Sequence, residues 1–497
     1  MGPGALPLFL ARLLRRQRTF APGRPEGPGR RLPRAGRQGN HGRLRPGPQT
    51  RLREHPGRGR SPAQYLYRIR PGRRALPPGH GQEPGTVGRL LRTGRHPPGQ
   101  EPAAGGPRDA GAVPHPVRGG GGAKKGRGGP APGPEPERGW QRAGPALSAD
   151  QAVSEPVAIV IPHYRASTLG ACLEALYTRS DWPIQVTVVD DGPDGPAIQE
   201  ARRVYPQIQV LRNERNLGFT VACNRGLAQA RTRYAVLLND DTLVEAGWLR
   251  PLIEAAEGDP ELAACQPKLL SVADPGFFDY AGGAGGYIDR LGYTFCRGRL
   301  FDHRERDEGQ YDRPAPLFWA CGAALFLRLE ALRRVGPLDE QYYMHFEEID
   351  LCWRLRLAGY RILAVPTSVI HHHSGWSLPP SSFRKAYLNY RNNLVLLCKN
   401  LEGARLLWVL PARLVLDLSS CLLFLAKGQF AQVPAPLAAL AWLLCHPVQL
   451  WRRRRQSQAL RRPGASFQGE GVYQGSLVYQ YFVRGVRSAR CLVPEAA

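Results

Sequence analysis

An α/β fold built on a mostly parallel sheet with flanking helices is predicted by three observations. Four short runs, 157–161, 185–189, 208–211 and 234–238, are apolar and rich in β-formers. Helix-like patterns separate them, and strands alternating with helices make a parallel sheet. Each run also closes on polar residues: His163 and Tyr164, Asp190 and Asp191, Asn213 to Gly218, and Asn239 to Asp241. Ligands of open α/β sheets bind outside the carboxyl ends of the strands, where all four polar groups fall.

Taken in order, the first run leads into a helix in which Leu169, Cys172, Leu173 and Leu176 recur at i, i+3, i+4 and i+7, with Ser167 or Thr168 as its cap. The second run ends in Asp190-Asp-Gly192 and Asp194-Gly195, where glycines let the chain turn closely around a ligand; a plain turn is the competing reading. The third opens a helix through Asn213 to Gly226, and its free amides with Arg215 suit an anion, although Asn and Gly there serve equally as caps. The fourth presents Asn239, Asp240 and Asp241 on a tight turn, where paired carboxylates hold a hard divalent cation or simply form the turn. Further on, Glu347, Glu348 and Asp350 start a helix ending at Gly359, and a strand over 360–365 follows. Acids at a helix N-terminus are general-base candidates and also ordinary dipole partners. His371, His372 and His373 alternate faces if they end a strand, so one or two at most can point into a site.

The chain has 497 residues and a net charge of +27, of which +21 lies in the first 150 residues, where 29 Lys and Arg face 8 Asp and Glu. That tract, rich in Arg, Gly and Pro, lacks the apolar content to offset ordering entropy and reads as disordered. Nucleic-acid binding is disfavoured, because few aromatics beyond Tyr65 and Tyr67 are interleaved with the basic residues. Leu6 to Phe20 has a presequence-like composition, but Arg and Pro persist far beyond a targeting length. The reading favoured here is a gene-model artefact: Met1 and Met344 are the only methionines, so a non-Met start between 140 and 157 would be hidden. Ten cysteines, Cys172 to Cys491, form no C-x-x-C pair and read as core residues of a reduced, cytosolic protein.

These motifs, with Trp319 to Phe326, Val335 to Glu340, Phe346 to Arg354 and Val369 to Ser377, resemble a family 2 glycosyltransferase of the rhamnosyltransferase-like branch, in unbroken order from about 157 to 400. The resemblance implies a GT-A fold, an inverting mechanism, a nucleotide-diphosphate sugar donor and a divalent metal, Mg²⁺ or Mn²⁺. It implies that Pro162, Tyr164, Asp190, Asp191, Asn216, Gly218, Asn224 and Asp240 bind the nucleotide sugar. Asp241, Asn239 and His372 would serve the metal, with His371 as runner-up, and Trp319, Gly322 and Asp339 the acceptor. Glu348 falls at the family's base position, next to Glu347. Three residues depart from the usual pattern: Arg165 stands for Asn after Pro162-His-Tyr164, Asn239 for the first Asp of the metal motif, and Glu348 for Asp.

Beyond residue 400 the chain has two apolar stretches, 406–426 and 437–451, each broken by polar residues or Pro and neither a convincing membrane span. Arg413, Asp417 and Ser420 share one helical face, which suits an interfacial helix, with Arg452 to Arg455 against anionic headgroups. The expected organisation is therefore a basic tract over 1–150, a transferase domain over 151–400 and C-terminal helices over 401–497. The expected enzyme is peripheral on the cytoplasmic face of the plasma membrane and moves a sugar from dTDP-rhamnose or a UDP-sugar to a lipid-linked or polysaccharide acceptor. The rival is a degenerate transferase domain acting as a binding protein with a nucleic-acid-binding arm.

Overall fold

The four apolar runs become one half of a nine-stranded sheet, with the third at its edge. Strands β1 (Val157–His163), β2 (Ile184–Asp190), β3 (Gln209–Arg212) and β4 (Tyr234–Leu238) pair in parallel in the order β3-β2-β1-β4. β1 and β4 are buried along their whole length, because helices cover both faces, and fully buried strands read as continuous apolar runs. The computed structural model describes residues 155–493 apart from 193–194, 375–378 and 380. The expectations for residues 1–150, for Asp194 and for the stretch around Ser377 lie outside the described residues.

Helix α1 (Leu169–Arg179) buries Leu169, Cys172, Leu173 and Leu176 as expected. Its cap differs: Thr168 makes no side-chain capping bond, and its carbonyl instead accepts from the Cys172 amide at 3.0 Å. α2 (Pro196–Val204) follows β2, and α3 (Phe219–Gln229) follows β3. At Gly226 a Cβ would lie 2.2 Å from Val160 Cγ1, so only glycine lets α3 seat this closely on β1.

The other half of the sheet is not parallel throughout. β5 (Thr242–Val244) and α4 (Arg250–Gly258) lead to β6 (Leu262–Ser271). A second, five-stranded sheet runs in the order β10-β9-β8-β7-β14, from β7 (Gly286–Asp289), β8 (Thr294–Cys296), β9 (Arg299–Leu300), β10 (His303–Arg304) and a late strand, β14 (Val472–Tyr473). The chain then re-enters the main sheet through β11 (Ala315–Pro316) and β12 (Ala324–Arg328). β12 runs antiparallel between β4 and β6, and β13 (Arg361–His372) pairs in parallel with β6. The sheet is therefore mixed, with its parallel half carrying all four polar strand ends.

α5 (Leu329–Val335) and α6 (Glu347–Leu357) precede β13, and α7 (Phe383–Asn400) follows it. α8 (Gly403–Ala426), α9 (Ala435–Cys445) and α10 (Pro447–Gln458) complete the helical layer. Residues 401–493 are not a separate appendage, since β14 pairs with β7 and Asp289 Oδ2 accepts from the Leu477 amide at 2.8 Å.

α8 corrects the expectation that neither apolar stretch could span a membrane. It is 24 residues long with a mean hydropathy of 1.8 over its most apolar window, 17% of which is buried. The residues 430–445 and 447–458 form a second apolar pair bent by 80°. The polar face expected to meet water or headgroups instead packs on the protein: Arg413 donates to the Leu291 carbonyl at 3.2 Å and pairs with Asp417, which accepts from Tyr293 Oη at 3.0 Å. Leu407, Trp408, Val415, Leu422 and Leu425 point outward. The basic run is also split, because Arg453 pairs with Asp339 and Arg454 donates to the Cys398 and Leu401 carbonyls, leaving Arg452 and Arg455 exposed.

Candidate active site

The strand ends open onto a cavity of about 390 Å³ lined by Pro162, Tyr164, Asp191, Asn216, Gly218, Asn239, Asp240 and Asp241, together with His163, Arg165, Phe219, Tyr343, Met344 and Arg384. That volume lies within the range of small-ligand pockets.

Asp191 is buried, and three donors fill its carboxylate. Oδ1 accepts from Asn213 Nδ2 at 2.7 Å and the Leu217 amide at 2.8 Å, and Oδ2 from the Gly218 amide at 2.8 Å. The loop amides expected to be free for an anion are thus occupied by Asp191, and Arg215 does not line the cavity. Asp190 lies behind the cavity wall, with one oxygen on the Gly192 amide and the other buried without a partner. Gly218 has φ +97°, and a Cβ there would stand 2.5 Å from the Tyr343 ring, whose hydroxyl donates to Asn216 Oδ1 at 3.0 Å. Tyr164 is half exposed, with the Arg165 guanidinium 5.3 Å from its ring centre. The backbone at Arg165 is left-handed, φ 59°, a course that the family's usual Asn adopts more readily.

Around Asp240 and Asp241 a chain of charge runs across the sheet. His163 Nδ1 lies 2.7 Å from Asp240 Oδ2, and burial raises the Asp240 pKa, an effect that His163 partly offsets. Of the three histidines, His372 points inward, with Nε2 3.1 Å from Asp241 Oδ1 and Nδ1 3.2 Å from Asp279 Oδ2. Burial alone would lower its pKa, but Asp279 and Asp241 together raise it to about 10. His371 turns outward to Glu245, at 2.7 Å, which removes the runner-up from the site. Asn239 Nδ2 is 3.4 Å from His372 Nε2, and its Oδ1 is buried without a partner. Among the described residues no three His, Cys, Asp or Glu side chains converge as a metal cage. Two do meet at a useful distance, because adjacent ligands of an octahedral ion with bonds of about 2.1 Å lie roughly 3 Å apart, the Asp241 to His372 spacing.

Glu347 and Glu348 begin α6. Glu347 is buried, Glu348 is partly exposed, and each has an oxygen with no hydrogen-bond partner. Burial raises both: Glu347 well above the carboxylate range, with the Glu348 charge adding to it, and Glu348 to about 7, with nearby backbone amides pulling it back. A carboxylate titrating near neutrality suits general-base work. Gly322 stands between Glu348 and the cavity wall, since a methyl placed there would lie 3.7 Å from Glu348 Cβ and 3.8 Å from Phe219 Cε1.

The comparisons with known proteins fit this geometry. One family model, Glycosyl transferase family 2, matches residues 158–308, and another, Glycosyl transferase family group 2, matches 234–451. The chain is a family 2 glycosyltransferase. It is similar to the N-acetylglucosaminyl-diphospho-decaprenol L-rhamnosyltransferase of Mycobacterium tuberculosis, with 26% identity over 49% of this chain and 85% of that protein. It is also similar to the pre-mycofactocin glycosyltransferase of the same organism, with 29% identity over 41% of this chain and 40% of that protein. A shorter match, 41% identical over 13% of this chain and 26% of the relative, is to the rhamnosyltransferase WbbL of Escherichia coli. Among solved structures, GalNAc-T7 with UDP, GalNAc and Mn²⁺ aligns at a TM-score of 0.39 and 17% identity over 49% of this chain and 47% of that one.

Three residues assigned to this glycosyltransferase's site serve the scaffold instead. Asn224 spans to the next loop, donating to the Leu338 carbonyl at 2.9 Å and accepting from the Leu338 amide at 3.0 Å. The Asp339 side chain is enclosed between Lys399, at 2.8 Å, and Arg453, and does not line the cavity. Trp319 is buried under Gly286 and donates to the Tyr287 carbonyl at 3.0 Å. Conversely, Tyr343, Met344, Arg384 and Asp279 had no motif to mark them; the one signal was the gap between Glu340 and Phe346, which falls between two recognised motifs.

Proposed function

We propose that the enzyme is an inverting transferase that moves a sugar from a nucleotide-diphosphate donor, in the rhamnose class, to a lipid-linked saccharide in cell-surface glycan synthesis. The observation that carries this reading is a cavity with Asp240 and Asp241 on its wall and, behind the wall residue Phe219 and Gly322, Glu348 with an unpartnered oxygen. Glu348 takes the proton of the acceptor hydroxyl as that oxygen attacks from the face opposite the diphosphate. Asp241 would hold Mg²⁺ or Mn²⁺, joined by His372 once its Nε2 gives up the proton shared with Asp241; when bound the ion neutralises the leaving diphosphate, and Arg384 at the cavity rim adds positive charge there. The names of the rhamnosyltransferase relatives support the sugar class and the lipid-linked acceptor.

The outward apolar side of α8, with exposed Leu444, Val448 and Trp451 on the bent pair, supports peripheral attachment to the cytoplasmic face of the plasma membrane. A degenerate binding domain is the weaker reading, because acids stand at the metal and base positions and His372 pairs with Asp241. Hydrolysis of a panel of nucleotide sugars by the purified chain, with Mg²⁺, Mn²⁺ or chelator and beside Asp241→Ala, tests the proposal. Metal-dependent turnover of one donor, absent in the variant, is expected. Metal-independent turnover, or binding of no donor, overturns it.

A further inference from the structure

We infer that Asn392 is a positioning residue: its side-chain amide holds residues 343–346 in a left-handed course that sets both the Tyr343 cavity wall and the Glu347–Glu348 pair. The inference rests on the reading of Glu348 as the base.

Tyr343, His345 and Phe346 have φ of 66°, 67° and 74°, three L residues out of four in a region that disfavours side chains. Such strain persists only where the surroundings over-determine it, and it clusters at functional sites. Here the determinant is visible. Asn392, fully buried on α7, directs one nitrogen at three carbonyls, Tyr342 at 3.1 Å, Met344 at 2.9 Å and His345 at 2.7 Å. Its own oxygen accepts from Arg391 Nε at 2.8 Å, and Arg391 Nη2 donates to the Gln341 and Tyr342 carbonyls at 3.0 and 3.1 Å. Among the described residues no backbone amide donates to the Met344 or His345 carbonyl, so an apolar residue at 392 would take away their donor, whereas the Tyr342 carbonyl keeps the Met344 amide at 2.7 Å and Arg391.

The held segment touches both halves of the site. At its start, Tyr343 packs on Gly218, donates to Asn216, and accepts from the Thr220 amide at 3.2 Å through its carbonyl. At its end, Phe346 is the N-cap of α6, and its amide is among the backbone donors that favour the charged form of Glu348. Asn392 itself does not line the cavity, so it acts through this segment.

The test compares Asn392→Ala, the milder Arg391→Met, and Asn392→Ala with His345→Gly, which relieves left-handed strain. Deuterium exchange of the peptide 340–349 is read first, with no substrate. Faster exchange in Asn392→Ala, slowed again by His345→Gly, is expected, and unchanged exchange overturns the inference whatever the donor. Where Asn392→Ala does not fold, Arg391→Met gives the same reading with a smaller change. With a donor that the wild-type chain turns over, kcat falls about a hundredfold, since misplacement of about 1 Å costs that much. The pH at which kcat rises shifts as well, and His345→Gly recovers part of both. A lowered melting temperature with the pH profile and kcat intact marks Asn392 as merely structural and overturns the inference. Wild-type turnover lost in Asp241→Ala but retained in Asn392→Ala would remove this inference and leave the proposed function standing.

Discussion

Asp191 at the end of β2 has both carboxylate oxygens filled by three donors, whereas Glu348, in the first turn of α6, keeps an oxygen with no partner and is pushed to a pKa of about 7. The two acids belong to one site and are built in opposite ways. The Asp191 side is finished by the protein itself, and its loop is held whether or not a ligand is bound. The Glu348 side is left incomplete at a cost in stability, as expected where a proton must be taken from a substrate. Under the proposed function one acid builds the site and the other works in it, and substitutions should separate the two.

The largest expected effect is that of Glu348→Gln. Removing a general base lowers kcat by about 10² to 10⁴. The same change should raise stability, because Glu348 pays for its burial when charged. With the folded pKa raised from 4.5 to about 7, folding stability is greatest below pH 4.5, falls as pH rises towards 7, and levels off above it. At pH 8 the variant should therefore melt higher than wild type, by about 1 kcal/mol or more in unfolding free energy. Wild-type kcat should rise with pH through about 7, and Glu348→Gln should lose that limb. Equal or lower stability in the variant, by denaturant titration at pH 8, would erase the contrast with Asp191.

Asp191→Ala should behave the other way. It strands the Leu217 and Gly218 amides and Asn213 Nδ2, all at or near burial, and should cost about 3 kcal/mol or more. Nucleotide affinity, measured by calorimetry with UDP and dTDP, should fall together with stability. A variant that keeps full stability but loses nucleotide would show Asp191 to be a direct ligand, and would break the comparison.

How much of this was legible in the sequence follows the same division. The four parallel strands were readable to within one or two residues; β1 and β4, buried along their whole length, appear as uninterrupted apolar runs, whereas the edge strand β3 was read from its place between two helix-like patterns. The insertion of antiparallel β12 between β4 and β6 was not readable, since pairing between distant segments leaves no local pattern. Motif order led to Asp191, Asp241, Glu348 and His372; Asp191 and Asp241 line the cavity, His372 pairs with Asp241, and Glu348 lies behind Gly322. It misassigned Asn224, Asp339 and Trp319, because a motif gives a polar residue's position in the chain but not which group satisfies it. Asp279 and Asn392 were invisible for that reason: their partners, His372 and the 342–345 carbonyls, are adjacent only in the folded chain. The outward apolar face of α8 was misjudged because Arg413 and Asp417 look like a surface until Leu291 and Tyr293 are seen beneath them.

The smallest effect sharpens the comparison most, because it begins on the finished side and should be felt on the other. At Gly218, φ +97° with ψ 160° is a course essentially reserved for glycine, and an added Cβ would meet the Tyr343 ring at 2.5 Å. Gly218→Ala should therefore cost about 1–2 kcal/mol. It should also push Tyr343 off Asn216 and raise the donor KM by about tenfold, the equivalent of 1.4 kcal/mol. Since Tyr343 begins the segment that ends at Glu348, kcat should fall as well. Adding Tyr343→Ala separates the contributions: it removes the clash but not the backbone strain, so stability should return in part. A Gly218→Ala enzyme with raised KM and unaltered kcat would mean that the donor wall and the base move independently, and that Tyr343 belongs to the donor side alone.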